Sequence, residues 1–173
     1  MFRKDLPMAT QENLQNAFAG ESQANRKYLA FAGKAESEGY PQIARVFRAA
    51  AAAETVHAHA HMRAMGAIKS TKENLAEAIN GESLEFKQMY PGYISEARQE
   101  GHKAALVSFQ NAMAVEQVHY SLYIDALNSL KEGKDMPEGK VFVCGVCGNT
   151  VLDEAPDKCP VCGAAASRFE QVK

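Results

Sequence analysis

Four cysteines near the end of the chain carry the residue type and spacing of a metal site. They form two Cys-x-x-Cys-Gly knuckles, Cys144/Cys147 and Cys159/Cys162. Two such knuckles offer a tetrahedral set of sulfur ligands, which suits zinc or a single iron. The surrounding segment is too short for a sufficient core, so we expect metal binding to stabilise its fold. The spacing leaves both a structural zinc ribbon and a redox iron centre open.

A second group of metal-binding residue types lies in two copies of an internal repeat. Each copy supplies one glutamate on its first helix and one Glu-x-x-His on its second: Glu21, Glu54 and His57, then Glu82, Glu116 and His119. Residues three apart on a helix share a face, so each motif directs a carboxylate and an imidazole together. Buried carboxylates need neutralising partners, and this ligand set is that of di-iron and di-manganese carboxylate proteins. The repeat predicts a dinuclear metal site; the alternative is solvated glutamates and ordinary core histidines.

One position breaks the repeat. Glu85 lies one turn beyond Glu82 on the same face, whereas its counterpart in the first copy is Ala24. We predict that Glu85 is an additional ligand that makes the two metals inequivalent, with a surface glutamate as the alternative. It could exchange with a histidine on oxidation, because ferric iron prefers hard oxygen ligands. Tyr28 and Tyr90 are candidates for hydrogen bonds to ligand carboxylates, with aromatic core packing as the alternative.

Long helices must position these residues. The first 136 residues are rich in strong helix formers and are interrupted by glycine, proline and capping residues. We predict helices from about Thr10 to Ser37, from Pro41 to near Gly66, from Ser70 to Gly101 with a kink at Pro91-Gly92, and from there to Gly133. Short connections between antiparallel helices predict a four-helix bundle, although helix exchange between chains stays open. The composition changes near residue 136, which predicts a bundle over residues 1–136 and a four-cysteine domain over 137–173.

Charge and hydropathy exclude several classes of protein. The chain has 19 Lys+Arg against 21 Asp+Glu, a net charge of -2, which argues against a nucleic-acid binder. Its apolar runs are far shorter than the roughly 20 residues needed to cross a bilayer. The N-terminus has no apolar stretch typical of a signal peptide. We therefore expect a cytoplasmic protein without membrane contact, in which clustered cysteines bind metal rather than form disulfides.

The order of these motifs resembles the rubrerythrin family over residues 10–170. The resemblance rests on GES before Tyr28, both Glu-x-x-His motifs, GESLEF followed by MYPGY, and the CGVCG and CPVCG knuckles. It implies a mainly α fold, a ferritin-like di-iron four-helix bundle followed by a small rubredoxin-like domain. It implies two irons held by Glu21, Glu54, His57, Glu82, Glu85, Glu116 and His119, and one iron held by Cys144, Cys147, Cys159 and Cys162. By the same resemblance Glu54 and Glu116 bridge the irons, and Glu85 exchanges with His57. Asn149 departs from the family, where an aromatic residue commonly follows Cys-Gly.

The resemblance implies a peroxidase of oxidative-stress defence. It would reduce hydrogen peroxide to water with electrons that an external donor passes through the four-cysteine iron. The alternatives are a ferroxidase or iron-handling protein, and a metal-binding module with structural zinc in the tail. We also expect a homodimer or larger oligomer in which each tail reaches the bundle of a partner. A linker of roughly seven residues, spanning at most about 25 Å, would be almost fully extended if the tail folded back on its own bundle.

Overall fold

The computed structural model describes residues 8–173, so most of the N-terminal segment considered for a signal peptide lies outside the described residues. The chain divides into two compact units, the first ending at Lys69 and the second spanning Ser70–Lys173. The first unit is a hairpin of two helices, α1 (Met8–Ser37) and α2 (Pro41–Met65). None of the described helices is long and apolar enough to cross a membrane.

The second unit combines helices with a small sheet. Its helical part consists of α3 (Thr71–Leu84), a π-helical segment (Glu85–Met89), α4 (Tyr90–Gln99) and α5 (Lys103–Lys131). The strands are β1 (Val141–Cys144), β2 (Thr150–Leu152) and β3 (Phe169–Val172). They form an antiparallel sheet in the order β2-β1-β3. Helices α3 and α4 both pack on α5, and β2 contacts α5 as well.

Small residues allow α1 and α2 to pack closely. Ala32, Ala35 and Ala44 are buried and form a cluster with the side chain of Phe47. One polar side chain, Asn25, is also buried in this interface. Its side-chain NH2 donates to the carbonyl oxygen of Ala51 at 2.6 Å. This contact supplies a partner for an amide that would otherwise be costly to bury.

The predicted helix boundaries are confirmed at most positions. Gly39 and Gly101, which are equivalent in the repeat, both end a helix with positive φ, +84° and +69°. Only a residue without a Cβ adopts this conformation at little cost. Ser70 caps α3 through the predicted capping box with Glu73. The first helix extends two residues beyond the predicted start near Thr10, because the chain is already helical at Met8.

The predicted interruption of the third helix lies earlier than expected. The helical hydrogen bonds change at Glu85, where the π-helical segment begins, and Pro91 lies near the start of α4. The N–H of Tyr90 donates to the carbonyl of Glu85, five residues before it. Proline has no N–H, and its ring clashes with the carbonyl four residues earlier in an α-helix. The helix therefore widens in the turn that precedes Pro91, rather than at the Pro-Gly pair itself.

Candidate metal centres

The first unit brings together the carboxylates and imidazole of the first repeat. Nδ1 of His57 lies 3.0 Å from Oε2 of Glu54 and 3.9 Å from Oε1 of Glu21. All three residues offer ligand atoms within 4.8 Å of one another. Ligand atoms about 2.1 Å from one ion can be at most about 4.2 Å apart, so these two distances allow convergence on a single metal.

The second unit repeats this geometry closely. Nδ1 of His119 lies 2.8 Å from Oε2 of Glu116 and 3.9 Å from Oε1 of Glu82. These three residues also offer ligand atoms within 4.8 Å of one another. The agreement between the two triads is a structural counterpart of the sequence repeat. The triads differ in exposure, since the side chain of His57 is 55% exposed and that of His119 is 29% exposed.

The pKa values of the glutamate carboxyl groups are shifted because these groups lie close to one another. A hydrogen bond between Glu21 and Glu54 raises the pKa of Glu21 and lowers that of Glu54. In the second unit, burial and the charge of Glu116 raise the pKa of Glu82. A bound cation would relieve this repulsion, and metal binding would displace the protons that the raised pKa values retain.

Glu85 and Tyr90 lie beside the triad of the second unit. Burial, followed by the charge of Glu116, raises the pKa of Glu85. Burial also raises the pKa of Tyr90, with further contributions from Glu116, Glu85 and Glu82. The structure thus groups one extra carboxylate and one phenol with the second triad. The corresponding position in the first unit is Ala24, which has no ionisable group.

Tyr28 lies in an aromatic cluster of the first unit. Its ring centroid is 6.4 Å from that of Phe31 and 6.2 Å from that of Phe47. These separations are typical of packed aromatic side chains. The contacts favour the core-packing interpretation for Tyr28 over hydrogen bonding to a ligand.

The four cysteines converge at the ends of the small sheet. Sγ of Cys144 lies 3.7 Å from Sγ of Cys162, and Sγ of Cys147 lies 3.5 Å from Sγ of Cys159. Four sulfurs about 2.3 Å from a central ion are about 3.8 Å from one another, so the arrangement fits a tetrahedral metal site. Burial disfavours the Cys144 thiolate, but backbone N–H groups of the knuckle donate to its sulfur and lower its pKa to about 7.

Asn149, which directly follows the first knuckle in the chain, is buried with 2% exposure. Its carbonyl oxygen accepts a hydrogen bond from the N–H of Cys144 at 2.9 Å. Its side-chain Nδ2 has no hydrogen-bond partner among the described residues. A polar side-chain group is therefore buried at this position.

The first knuckle packs against α5 of the same chain. Nε2 of His119 lies 3.1 Å from Oγ1 of Thr150. A Cβ at Gly148, where φ is +86°, would lie 3.7 Å from Cγ1 of Val115, in van der Waals contact. The four-cysteine domain therefore touches the helix that carries the Glu116–His119 motif, beside the imidazole of that motif.

This contact is the alternative to the arrangement we expected, in which each tail reaches the bundle of a partner. The helix ends at Lys131 and the sheet begins at Val141, so residues 132–140 form the connection. At roughly 3.3 Å per residue they reach about 30 Å. His119 lies about 18 Å from the end of α5 at 1.5 Å per residue. The connection is therefore long enough to return along its own helix.

Sequence reasoning missed Thr150. Its position two residues after the knuckle carries no recognised metal-site signal, because the contact with His119 depends on how the sheet docks on α5. The Glu-x-x-His spacing, in contrast, acts within one helix and is visible in the sequence.

These donor sets define a class of protein: a ferritin-like carboxylate–histidine metalloprotein with an appended four-thiolate domain. The family comparison agrees, because residues 12–127 match the rubrerythrin family and residues 142–170 match the rubrerythrin rubredoxin-like domain. The chain belongs to the rubrerythrin family. The predicted fold class is confirmed, as are its cofactors: a di-iron carboxylate–histidine site and a rubredoxin-like four-cysteine site for iron or zinc.

Individual relatives match over most of their length. The chain is 40% identical to Rubrerythrin-2 of Clostridium acetobutylicum, with 93% of this chain and 95% of the relative covered. It is 37% identical to nigerythrin of Nitratidesulfovibrio vulgaris, with 89% and 82% covered. A solved mixed-valence state of nigerythrin matches with a TM-score of 0.56 and 35% identity, covering 98% of this chain and 89% of that one. The family consists generally of oxidoreductases.

Proposed function

We propose that this protein is a non-haem di-iron peroxidase of oxidative-stress defence that reduces hydrogen peroxide to water. The observation that carries the proposal is the contact between the four-cysteine domain and α5 beside His119. An electron-transfer domain beside a metal-binding imidazole serves repeated reduction, whereas a ferroxidase or an iron store has no need of an electron inlet. A structural zinc in the tail would favour those alternatives.

The two triads and Glu85 are the proposed ligands of the two irons. Five glutamates carry five negative charges, and two ferrous or two ferric ions bring four or six positive charges. At both oxidation levels the net charge of the site therefore stays within one unit of zero, which limits the free-energy cost of burying it. Imidazole and carboxylate ligands suit iron that changes oxidation state. In this proposal, residues 1–136 supply the di-iron part and residues 137–173 supply the electron inlet.

The bound irons would supply the two electrons that convert one peroxide and two protons into two water molecules. The carboxylates would hold the ions, and Tyr90 lies beside the carboxylates of the second unit, whose charges contribute to its raised pKa. A phenol that stays protonated in this position can donate a hydrogen bond to a ligand carboxylate. An external donor, either a reductase or a rubredoxin-type protein, would return the two electrons one at a time through the four-cysteine iron.

We further propose that the complete site forms in a homodimer, where a second copy of the chain supplies one of the two triads. A ferritin-like bundle needs one long crossover between its two helix pairs. Here only residues 66–70 join α2 to α3, and they span at most about 20 Å. If α2 and α3 of one chain ran parallel with His57 and Glu82 at the same level, this connection would have to span about 28 Å. The reason is that α2 extends about 12 Å beyond His57 and α3 begins about 16 Å before Glu82. The connection is therefore too short for both triads of one chain to meet in this way.

Metal analysis with anaerobic peroxide turnover tests the proposed activity. The protein as isolated is expected to contain about three metal ions per chain and to consume peroxide with a reduced electron donor and without oxygen. A red colour would report ferric iron bound by four thiolates, whereas zinc is colourless. Iron-loaded protein that oxidises ferrous iron with oxygen but leaves peroxide unreduced would contradict the proposal and favour the ferroxidase.

Replacing Glu85 with alanine is expected to retain both metals and to slow peroxide turnover. The two triads remain complete, but the site loses the carboxylate that is unmatched in the repeat. We expect a decrease of about 10-fold or more, as for other groups that tune a metal site. Steady-state peroxide reduction at matched iron content measures the effect, and Glu77→Ala, an exposed glutamate of α3, is the control. Unchanged turnover in fully loaded Glu85→Ala protein would refute the role of Glu85.

A further inference from the structure

Thr150 connects the four-cysteine domain to the imidazole of His119. Its Oγ1 lies 3.1 Å from Nε2 of His119 and 3.2 Å from the carbonyl oxygen of Gly148. Gly148 follows Cys147 directly in the chain. The other ring nitrogen, Nδ1, lies 2.8 Å from Glu116. The two nitrogens of one imidazole therefore face two different parts of the second unit.

The chemistry of these groups determines which atom donates each hydrogen bond. A carbonyl oxygen only accepts, so the single hydroxyl hydrogen of Thr150 goes to Gly148. The lone pairs of the hydroxyl oxygen then accept the Nε2–H of His119. A neutral imidazole with its hydrogen on Nε2 has its free lone pair on Nδ1, which is the nitrogen beside the carboxylates. In the metal-free site the short contact between Nδ1 and Glu116 needs a proton between the two atoms. A metal bound through Nδ1 replaces that proton and leaves the imidazole in the Nε2–H tautomer.

We propose that Thr150 is a positioning residue that holds His119 in the Nε2–H tautomer and ties it to the first cysteine knuckle. The inference rests on the proposed function and deepens it, because it assigns a role to a residue outside both ligand sets. Metal-binding histidines are commonly oriented by a partner on their second nitrogen, and loss of that partner weakens metal binding or activity. Here the partner belongs to the electron-inlet domain, so docking of that domain and orientation of the ligand are coupled.

The same contact explains why the two histidines have unequal freedom. His119 is held by Glu116 on one side and by Thr150 on the other. The side chain of His57 is more exposed, at 55%. A ligand exchange that involves Glu85 requires one histidine to move, and the less buried His57 is better suited to it than the anchored His119.

The test compares Thr150→Val, which removes the hydroxyl at similar volume, with Thr150→Ser, which retains it. The full chain is labelled with 15N and given three equivalents of zinc, so that the four thiolates and the carboxylate site are both occupied. Nitrogen–proton correlation spectra then report the tautomer of His119. We expect the Nε2–H form in the unmodified protein and in Thr150→Ser, and a mixture of tautomers in Thr150→Val.

Ferrous ion affinity of the carboxylate site supplies the second measurement. It is expected to fall about 10-fold or more in Thr150→Val and to return close to the original value in Thr150→Ser. Ser121→Ala, which removes an exposed hydroxyl from the same helix, is the control and should change neither measurement. An unaltered tautomer and affinity in Thr150→Val would overturn the inference.

The serine variant keeps the inference falsifiable if Thr150→Val loses its zinc. Serine retains the hydroxyl and removes only the methyl group, so a disturbed tautomer in Thr150→Ser would show that packing, not hydrogen bonding, orients His119. Neither measurement uses peroxide. A protein that binds two irons but leaves peroxide unreduced would therefore refute the proposed function without altering the tautomer result.

Discussion

Replacing Cys159 with serine is expected to abolish donor-linked peroxide reduction while leaving one oxidation of a prereduced di-iron site intact. Cys159 is buried, and its Sγ lies 3.5 Å from that of Cys147. The small domain depends on metal binding for its fold, and binding contributes about 10 kcal/mol in comparable four-ligand sites. The oxygen and nitrogen ligands all lie on the helices, so the variant retains the chemistry of a single turnover when excess ferrous ion offsets the loss of the support that Thr150 gives to His119.

Two experiments on the Cys159→Ser protein separate these effects. Steady-state turnover with the electron donor should fall to background, whereas stopped-flow mixing of the reduced protein with one equivalent of peroxide should still oxidise the di-iron site. Ser167→Ala, an exposed position in the same domain, is the matched control for both measurements. If a folded variant with two irons also loses the single oxidation, the two metal sites do not act separately.

Mixing two inactive variants is expected to restore activity. One variant lacks Glu54 and His57, and the other lacks Glu116 and His119, each replaced by alanine. Neither can form a complete site on its own. In a dimer that exchanges triads between chains, the mixed pair contains one fully damaged site and one intact site. Random mixing at equal concentration should restore roughly a quarter of the wild-type activity and di-iron content, because half the dimers are mixed.

The control for this experiment combines the same four substitutions in one chain and mixes it with wild-type protein. Exchange of subunits is verified by mass spectrometry of differently labelled chains. If mixed dimers of the two complementary variants remain without a di-iron site, each chain completes its own bundle. Lengthening the connection at residues 66–70 to a crossover that spans the bundle should, in contrast, make the site available within one chain.

The sequence predicted those parts of the site that depend on one helix or on repetition. Glu54 and His57 share a helical face because of their spacing, and the second motif showed that the first was not accidental. The interruption near Pro91 was also predictable, since proline cannot complete an α-helical turn. Its displacement to Glu85 was not, because more than one carbonyl before a proline can lose its helical partner.

Contacts between segments that are distant in the chain could not be predicted from the sequence. Thr150 reaches His119 only because the sheet docks on α5, and no local pattern encodes that docking. The same limitation applies to the tail, because the end of its linker depends on where the first strand begins, at Val141. Tyr28 shows a further ambiguity. The sequence position of an aromatic residue two turns from a ligand fits both packing and hydrogen bonding. Only its neighbours in the structure distinguish the two roles.

The π-helical segment has a consequence for the helical phase of the ligand helix. Each residue of an α-helix turns the chain by about 100°, so Ile94, twelve residues after Glu82, would face about 120° away from it. The π turn accommodates one extra residue, which reduces the difference to the equivalent of eleven steps, or about 20°. Glu82 can therefore face His119 while Ile94 remains buried on the same side, against α5. A single extra residue thus keeps a metal ligand and a core residue in phase along an otherwise continuous helix.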